Sequence, residues 1–358
     1  MFNFGKPPQL SSFMIPPQEL RARLERFPRL KYATFPTPLE PMENLTRELG
    51  GPRLWVKRDD GIGPGLGGSK GRKLEFLMAE ALARKARRVI TYGGLQSNHA
   101  RMTAAACAAL GLEAHLFFFD RRPADLPANL LLDHLLGARL HFLPLRRGGS
   151  APLTIERTNW LVKLISNALV GPGAYFMPVG GHSVTGCLGY VAAALELHQQ
   201  VEEIASDKGR VTVVTGVGTG GTLAGLMAGL KLLESPQKVL GIDVGKLWKS
   251  FPASLANLAS ELCTALGEPH SFRPEEVPMI EGEYARPGYA VYTAEAGAAI
   301  RKMAQAEGLL LDPVYSGKAF AGLLDLIGKG KFGPDETVIF LHTGGLPGLW
   351  AFEEPLSK

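Results

Sequence analysis

The sequence predicts an α/β fold of two domains, each a mostly parallel, twisted sheet covered by helices, and three observations lead to it. Strand-like apolar runs alternate with runs of helical period along nearly the whole chain, and such alternation builds parallel sheets with helices on both faces. Four of the strand-like runs end in glycines: Val89–Tyr92 into Gly93-Gly94, Tyr175–Val179 into Gly180-Gly181, Val211–Thr215 into the loop from Gly216 to Gly221, and Thr337–His342 into Thr343-Gly344-Gly345. The length of 358 residues exceeds one typical core of about 150 residues. Loops leaving the carboxyl ends of strands in open α/β sheets meet at one crevice, and glycine lets backbone N–H groups approach a ligand there, so the four exits predict one shared pocket.

Residues 1–45 are proline-rich and read as a segment wrapped over the body, with one short helix from Pro17 to Arg26 between prolines. Leu54–Lys57 reads as a short strand, and Leu74, Leu77, Met78, Ala81 and Leu82 recur at the i, i+3, i+4, i+7, i+8 spacing of a helix face. Strand Val89–Tyr92, an alanine-rich helix His99–Leu110, strand Ala114–Phe119, helix Asn129–Leu136 and strand Arg139–Leu143 follow. The second half repeats the grammar: helix Leu153–Leu169, strand Tyr175–Val179, helix Leu188–Ile204, strand Val211–Thr215, helix Thr222–Leu233, strand Val239–Val244, helices Leu255–Leu266 and Ala294–Ala306, and strand Thr337–His342. Residues 73–185 can close a small sheet of their own, which leaves 1–72 plus 186–358 for a second, larger domain. No Gly/Ser-rich linker marks either junction, so a tight cleft is expected between the two.

Composition is that of a globular chain, 46% hydrophobic and 20% charged, with a modest net charge of +5. Lys and Arg are scattered, with only short pairs at Arg121-Arg122 and Arg146-Arg147. That favours a small anionic ligand and offers nucleic acid no basic stripe. Cys107, Cys187 and Cys263 lie far apart without CxxC spacing, which predicts reduced core thiols in a cytoplasmic protein and neither a disulfide framework nor a metal site. No apolar stretch reaches the roughly 18 residues of a membrane span, so no membrane insertion is expected.

Candidate chemistry starts at Lys70, in Gly67-Gly68-Ser69-Lys70-Gly71-Arg72-Lys73. Arg72 and Lys73 add positive charge of the kind that lowers a lysine pKa and frees the amine for a Schiff base with a carbonyl. Taken alone, the same residues also describe a solvated surface loop. Gly216-Val217-Gly218-Thr219-Gly220-Gly221-Thr222 follows a strand and opens a helix, which points N–H groups and the positive end of the helix at an anion, with the Thr219 and Thr222 hydroxyls as further donors. A phosphate fits; no Lys follows the last glycine, so the loop is not a Walker loop. Asp243, about 20 residues on, leaves a dinucleotide reading and hence a dinucleotide-dependent oxidoreductase open. Ser97, Asn98 and His99 stand at a helix start behind Gly93-Gly94, and Tyr289 and Tyr315-Ser316 stand in turns near the C-terminus.

At these places the sequence resembles the pyridoxal-phosphate enzymes that include 1-aminocyclopropane-1-carboxylate deaminase and D-cysteine desulfhydrase. GGSKGRKLEFL, GGLQSNHAR, GVGTGGTLAG, RPGYA, LLDPVYSGKAFAGL and LHTGG occur in the family's order and at about its spacing, from roughly residue 35 to the end. The resemblance implies a tryptophan-synthase-β-like fold (fold type II) and a homodimer. It implies that Lys70 carries pyridoxal 5'-phosphate, that Asn98 meets its 3-hydroxyl oxygen, and that Gly218, Thr219, Gly220, Gly221 and Thr222 bind its phosphate. Ser97 would then bind the substrate carboxylate beside Gln96 and His99, and Tyr289 and Tyr315 would flank the reacting carbons of an amino acid.

Within the family, the deaminase pattern has Glu after the DPVY tyrosine and Leu for the Thr of HTGG, whereas Ser316 and Thr343 stand here and resemble the desulfhydrase. A carboxylate beside the ring nitrogen keeps it protonated; hydroxyls tolerate a neutral ring, a weaker electron sink that suffices when a thiolate leaves. His99, where deaminases carry Gln, points the same way. The resemblance thus implies β-elimination of D-cysteine to pyruvate, ammonia and sulfide. Cysteate, with sulfite leaving, stays open, because GGHSVTGCLGY differs from the relatives' Ser-Asn-Pro and places His182, Ser183 and Cys187 where they alter the pocket.

Overall fold

The computed structural model describes residues 15–144, 153–205 and 210–357; the Arg146-Arg147 pair and residues 1–14 of the proline-rich segment lie outside these. In chain order the first half comprises α1 (Pro17–Leu24), β1 (Leu39–Pro41), α2 (Glu43–Leu49), β2 (Arg53–Arg58), α3 (Lys70–Ala83), β3 (Arg88–Gly93), α4 (Asn98–Leu110), β4 (Glu113–Phe118), α5 (Asn129–Leu135), β5 (Arg139–Phe142) and α6 (Ile155–Val170). The second comprises β6 (Tyr175–Phe176), α7 (Val184–Ile204), β7 (Val211–Val217), α8 (Gly221–Leu232), β8 (Lys238–Asp243), α9 (Phe251–Ala265), β9 (Met279–Ile280), α10 (Ala294–Glu307), α11 (Ser316–Gly328), β10 (Thr337–His342) and α12 (Glu353–Ser357).

Two sheets result, in an α/β fold as expected. One has the order β5-β4-β3-β6 and is parallel throughout; the other has the order β1-β2-β10-β7-β8-β9 and is parallel except for β1 against β2. The first draws only on residues 88–176, and the second on 39–58 and 211–342. β7 shows why these residues make a central strand. Its β-branched run is buried on both faces: Val213 packs with Leu223 and Leu226 of α8, and its neighbour Val214 packs on the opposite side with Phe320 and Phe340.

The structure departs from the expected elements where the chain is short or lacks a donor. Tyr175–Val179 keeps only two ladder residues, because Pro178 has no N–H, and the chain turns through Val179–Gly181 instead. β1 and β9, of three and two residues, are too short to display a period of their own. The helix after the glycine loop starts at Lys70 itself, so Lys70 is a first-turn helical residue and not a loop residue.

Candidate active site

The loops leaving β3, β7 and β10 and the turn after β6 border one cavity of about 1080 Å³, so the four strand exits do share a pocket, those of β3, β6 and β7 through their glycines and that of β10 through Thr343. Lys70 enters it from the N-terminus of α3, its amine donating to Ser69 Oγ at 3.1 Å. That end of α3 is fixed by a buried ionic knot. Arg72 Nε and Nη2 donate to the two Asp59 oxygens at 2.8 Å each, and its Nη1 donates to Glu196 at 3.0 Å. Lys57 pairs with the same glutamate, and the Tyr190 hydroxyl donates to Asp59 at 2.9 Å. Arg72 is therefore neutralised, which corrects the expectation that it presses on Lys70. Enclosure by protein first, and then the charge of Lys73, lower the Lys70 amine from 10.5 to about 7.

Lys73, one helical turn on, is the group that sequence reasoning undervalued. It is 1% exposed, donates to the Gly180 carbonyl at 3.0 Å, and has no carboxylate partner among the described ion pairs. Burial pulls its ammonium below the usual lysine value. Its Nζ lies beside Gly221, the first residue of α8, so close that a Cβ on Gly221 would stand 2.8 Å from it. Gly218, Thr219, Gly220, Gly221 and Thr222 all line the cavity at this helix end. Gly220 caps α8 at φ 76°, a left-handed conformation that glycine adopts without strain, and any Cβ there would overlap Leu255 at 2.0 Å. His182 Nδ1 donates to the Thr219 carbonyl at 2.6 Å and Trp248 Nε1 to the Gly218 carbonyl at 3.0 Å, bracing the loop from behind. A buried, unpaired cation beside free N–H groups of a helix N-terminus fits a phosphate.

Ser183 caps α7, accepting from Gly186 N at 3.2 Å, and Cys187 packs against Lys73 and Gly221. Neither residue, nor His182, is on the cavity wall; the departures in this loop act on the phosphate cradle from outside the pocket. Asp243 accepts from Gly245 N, Lys246 N and Gly282 N at 3.0, 3.0 and 3.1 Å, so its carboxylate ties the loop after β8 to the turn after β9, and it is not on the cavity wall.

Across the cavity, Ser97 caps α4 by accepting from Ala100 N at 3.2 Å, which leaves its hydrogen free to donate. Gln96, Asn98 and His99 share this wall, and both ends of the Gln96 carboxamide are engaged by protein: Oε1 accepts from Asn129 N at 3.1 Å and Nε2 donates to the Pro127 carbonyl at 3.1 Å. Thr91 gives its only hydrogen to the Met177 carbonyl at 3.0 Å, so His99 Nε2, 3.0 Å from Thr91 Oγ1, must be the donor in that contact. His99 Nδ1 remains a bare, buried acceptor, and burial keeps the imidazole neutral.

Tyr289 and Tyr315 meet hydroxyl to hydroxyl on the wall beside Gly94 and Gly218; a Cβ on Gly94 would come within 2.8 Å of the Tyr289 ring. Burial raises Tyr289 to about 12 and pushes Tyr315 well above its ordinary value, so the pair holds its protons at neutral pH. Asp312, at 1% exposure, fixes Tyr315 by accepting from Val314 N, Tyr315 N and Ser316 N at 2.9, 2.9 and 2.8 Å. Ser316 Oγ donates to the same carboxylate at 2.6 Å, and Ser316 is not on the cavity wall. Thr343, by contrast, lines the cavity. Lys318 steadies the opposite turn by donating to the Gly288 carbonyl at 2.7 Å.

Among the described residues there is no cluster of His, Cys, Asp and Glu that could hold a metal ion, and no helix long and apolar enough to cross a membrane.

The chain is similar to two sets of curated proteins with different names. One, from Pyrococcus horikoshii, carries the provisional name 1-aminocyclopropane-1-carboxylate deaminase; it is 38% identical over 336 residues, 94% of this chain and 97% of that protein. The D-cysteine desulfhydrase of Salmonella typhimurium is 38% identical over 341 residues, 92% of this chain and 97% of that protein. A crystal structure described as an ACC deaminase homologue superposes with a TM-score of 0.81 at 36% identity, covering 95% of this chain and 98% of that one. An L-serine ammonia-lyase from Rhizomucor miehei shares the fold, at a TM-score of 0.59 and 18% identity. The family described as pyridoxal-phosphate dependent enzyme matches residues 30–344. Because that span takes in the low-pKa lysine, the anion cradle and the tyrosine pair alike, the chain belongs to the pyridoxal-phosphate dependent enzymes and takes pyridoxal 5'-phosphate as its coenzyme.

Proposed function

We propose that the protein eliminates the β-substituent of D-cysteine, converting it with one water to pyruvate, ammonia and hydrogen sulfide. In this reading Lys70 holds the coenzyme, Asn98 meets its phenolic oxygen, and Gly218–Thr222 with Lys73 bind its phosphate. The bound coenzyme supplies an electron sink for charge developing at Cα. The residues supply the rest. An amine lowered to about 7 is half neutral near pH 7 and can take and return the Cα proton. Ser97, at the positive end of α4, donates to the substrate carboxylate. The Tyr289–Tyr315 pair keeps a proton within reach of Cβ, where a thiolate leaving as hydrogen sulfide needs one. His99 Nδ1 offers an acceptor to a substrate N–H or S–H group.

The observation that carries the choice of D-cysteine over the cyclopropane is that Thr343 lines the cavity where the deaminase pattern has Leu, while Asp312, whose carboxylate already accepts four hydrogen bonds, is not on its wall. Such a wall leaves the ring nitrogen neutral, the weaker sink that suits a good leaving group. The division into residues 1–72 plus 186–358 and residues 73–185 belongs to the same proposal and follows the allotment of strands to the two sheets. So does a cytoplasmic homodimer, for which three buried, unpaired cysteines fit a reducing compartment. The deciding experiment offers the purified protein D-cysteine, L-cysteine, cysteate and 1-aminocyclopropane-1-carboxylate in parallel. Sulfide and pyruvate from D-cysteine at the highest kcat/KM are expected; faster ammonia release from the cyclopropane, or sulfite from cysteate, would replace the substrate.

A further inference from the structure

We infer that Asn129, at the start of α5, is a positioning residue that sets which end of the Asn98 carboxamide faces the coenzyme. The inference rests on the reading that Asn98 meets the coenzyme's phenolic oxygen. An asparagine side chain presents a donor and an acceptor of nearly the same shape, and only its neighbours decide which points where.

Here the neighbours leave one solution. Arg101, 0% exposed, can only donate, and its Nε lies 2.8 Å from Asn129 Oδ1; that end of Asn129 is therefore the oxygen. The Asn129 amide nitrogen must then face the other way, where it donates to the Gln96 carbonyl at 3.0 Å and to Asn98 Oδ1 at 3.1 Å. Arg101 Nη2 adds a longer contact to the same Asn98 oxygen at 3.4 Å. With two donors on its oxygen, Asn98 turns its NH₂ group toward the cavity that it lines. A reversed Asn98 would set two donor groups against each other at Asn129 and an acceptor against a phenolic oxygen. The backbone N–H of Asn129 completes the frame by holding Gln96 Oε1 at 3.1 Å, so one buried residue orients both amides flanking Ser97. None of these bonds is visible in sequence, where Asn129 and Asn98 stand on different helices.

A donor on the phenolic oxygen draws negative charge from the neighbouring protonated nitrogen, and without it that nitrogen keeps its proton to higher pH. The test is a pH titration of the visible band of protein loaded with pyridoxal 5'-phosphate. Asn129→Asp keeps the acceptor for Arg101 but cannot donate to Asn98; Asn129→Ala loses both. Each is expected to move the midpoint upward by about one unit and to weaken coenzyme binding about tenfold, the scale of one oriented hydrogen bond. Leu130→Ala removes the next, equally buried side chain of α5, and is expected to lower thermal stability while leaving the titration in place. In an Asn98→Ala background, Asn129→Asp should add no further shift. A wild-type midpoint in folded Asn129→Asp, or an equal shift in Leu130→Ala, overturns the inference. Asn98→Ala without any shift would instead sink the placement of the coenzyme, a failure distinct from that of Asn129 alone. If neither Asn129 variant folds, a neutron structure of the loaded wild type decides: deuterium on the Asn98 atom facing the coenzyme is expected, and deuterium on the atom facing Asn129 refutes the assignment.

Discussion

The lowered amine of Lys70 gives a prediction with a large signal. An ordinary lysine of pKa 10.5 is neutral in about one molecule in 3,000 at pH 7, whereas Lys70 at about 7 is neutral in about one in two, a gain of roughly 1,500-fold in the reactive form. The sign follows from the cause: enclosure and the charge of Lys73 disfavour the ammonium, so the reactive fraction grows as pH rises through 7 and is complete well before a free lysine begins to lose its proton. The assay mixes coenzyme-free protein with pyridoxal, which lacks the phosphate and so weakens the contribution of Lys73 and the glycine loop. It follows the visible band from pH 5.5 to 9 against Nα-acetyl-lysine, whose side-chain amine is free, as reference, with Lys70→Ala as background. The Lys70 rate is expected to climb to about pH 7 and level off while the reference keeps climbing about tenfold per unit. Lys73→Gln should raise the midpoint yet leave it well below 10.5, because burial is the larger cause. A Lys70 rate that rises in parallel with the reference through pH 9 would refute the argument.

Replacing the buried, carboxylate-free ammonium by Lys73→Met should raise the thermal midpoint of the coenzyme-free protein while weakening binding of pyridoxal 5'-phosphate by about 10- to 100-fold, as expected for one charged hydrogen bond; calorimetry and equilibrium dialysis read the two effects. Tyr315→Phe should lower kcat by about 10² or more without changing the coenzyme spectrum, because it removes a positioned proton and not a coenzyme ligand; an unchanged kcat in steady-state assays would deny the tyrosine pair its role. Arg72→Met should destabilise the fold by about 3–5 kcal/mol in urea unfolding, since it strands Asp59 and Glu196 in the interior.

The sheet strands were legible because their burial is nearly continuous, as in Val211–Thr215, and the pocket was legible because glycine runs at strand exits are conspicuous. What surrounds the pocket was less so. Lys73 reads in sequence only as a charge that lowers the Lys70 pKa, although its spacing of three from Lys70 on a helix carries it to the same side of the chain, where it meets Gly221 of α8. Ser316 was placed by motif alone, and only the geometry reveals that Asp312 takes its hydroxyl. Asn129 and Trp248 act through contacts between elements distant in sequence, and spacing along one chain has no means of registering those. The same holds for the knot of Lys57, Asp59, Arg72 and Glu196, whose members look in sequence like solvated charges.

If Lys70 carries the coenzyme, borohydride reduction of the loaded protein followed by peptide mapping yields a single phosphopyridoxyl label on Lys70 and none in Lys70→Ala. A label on Lys73 or on any other lysine of the wild-type protein would contradict that assignment.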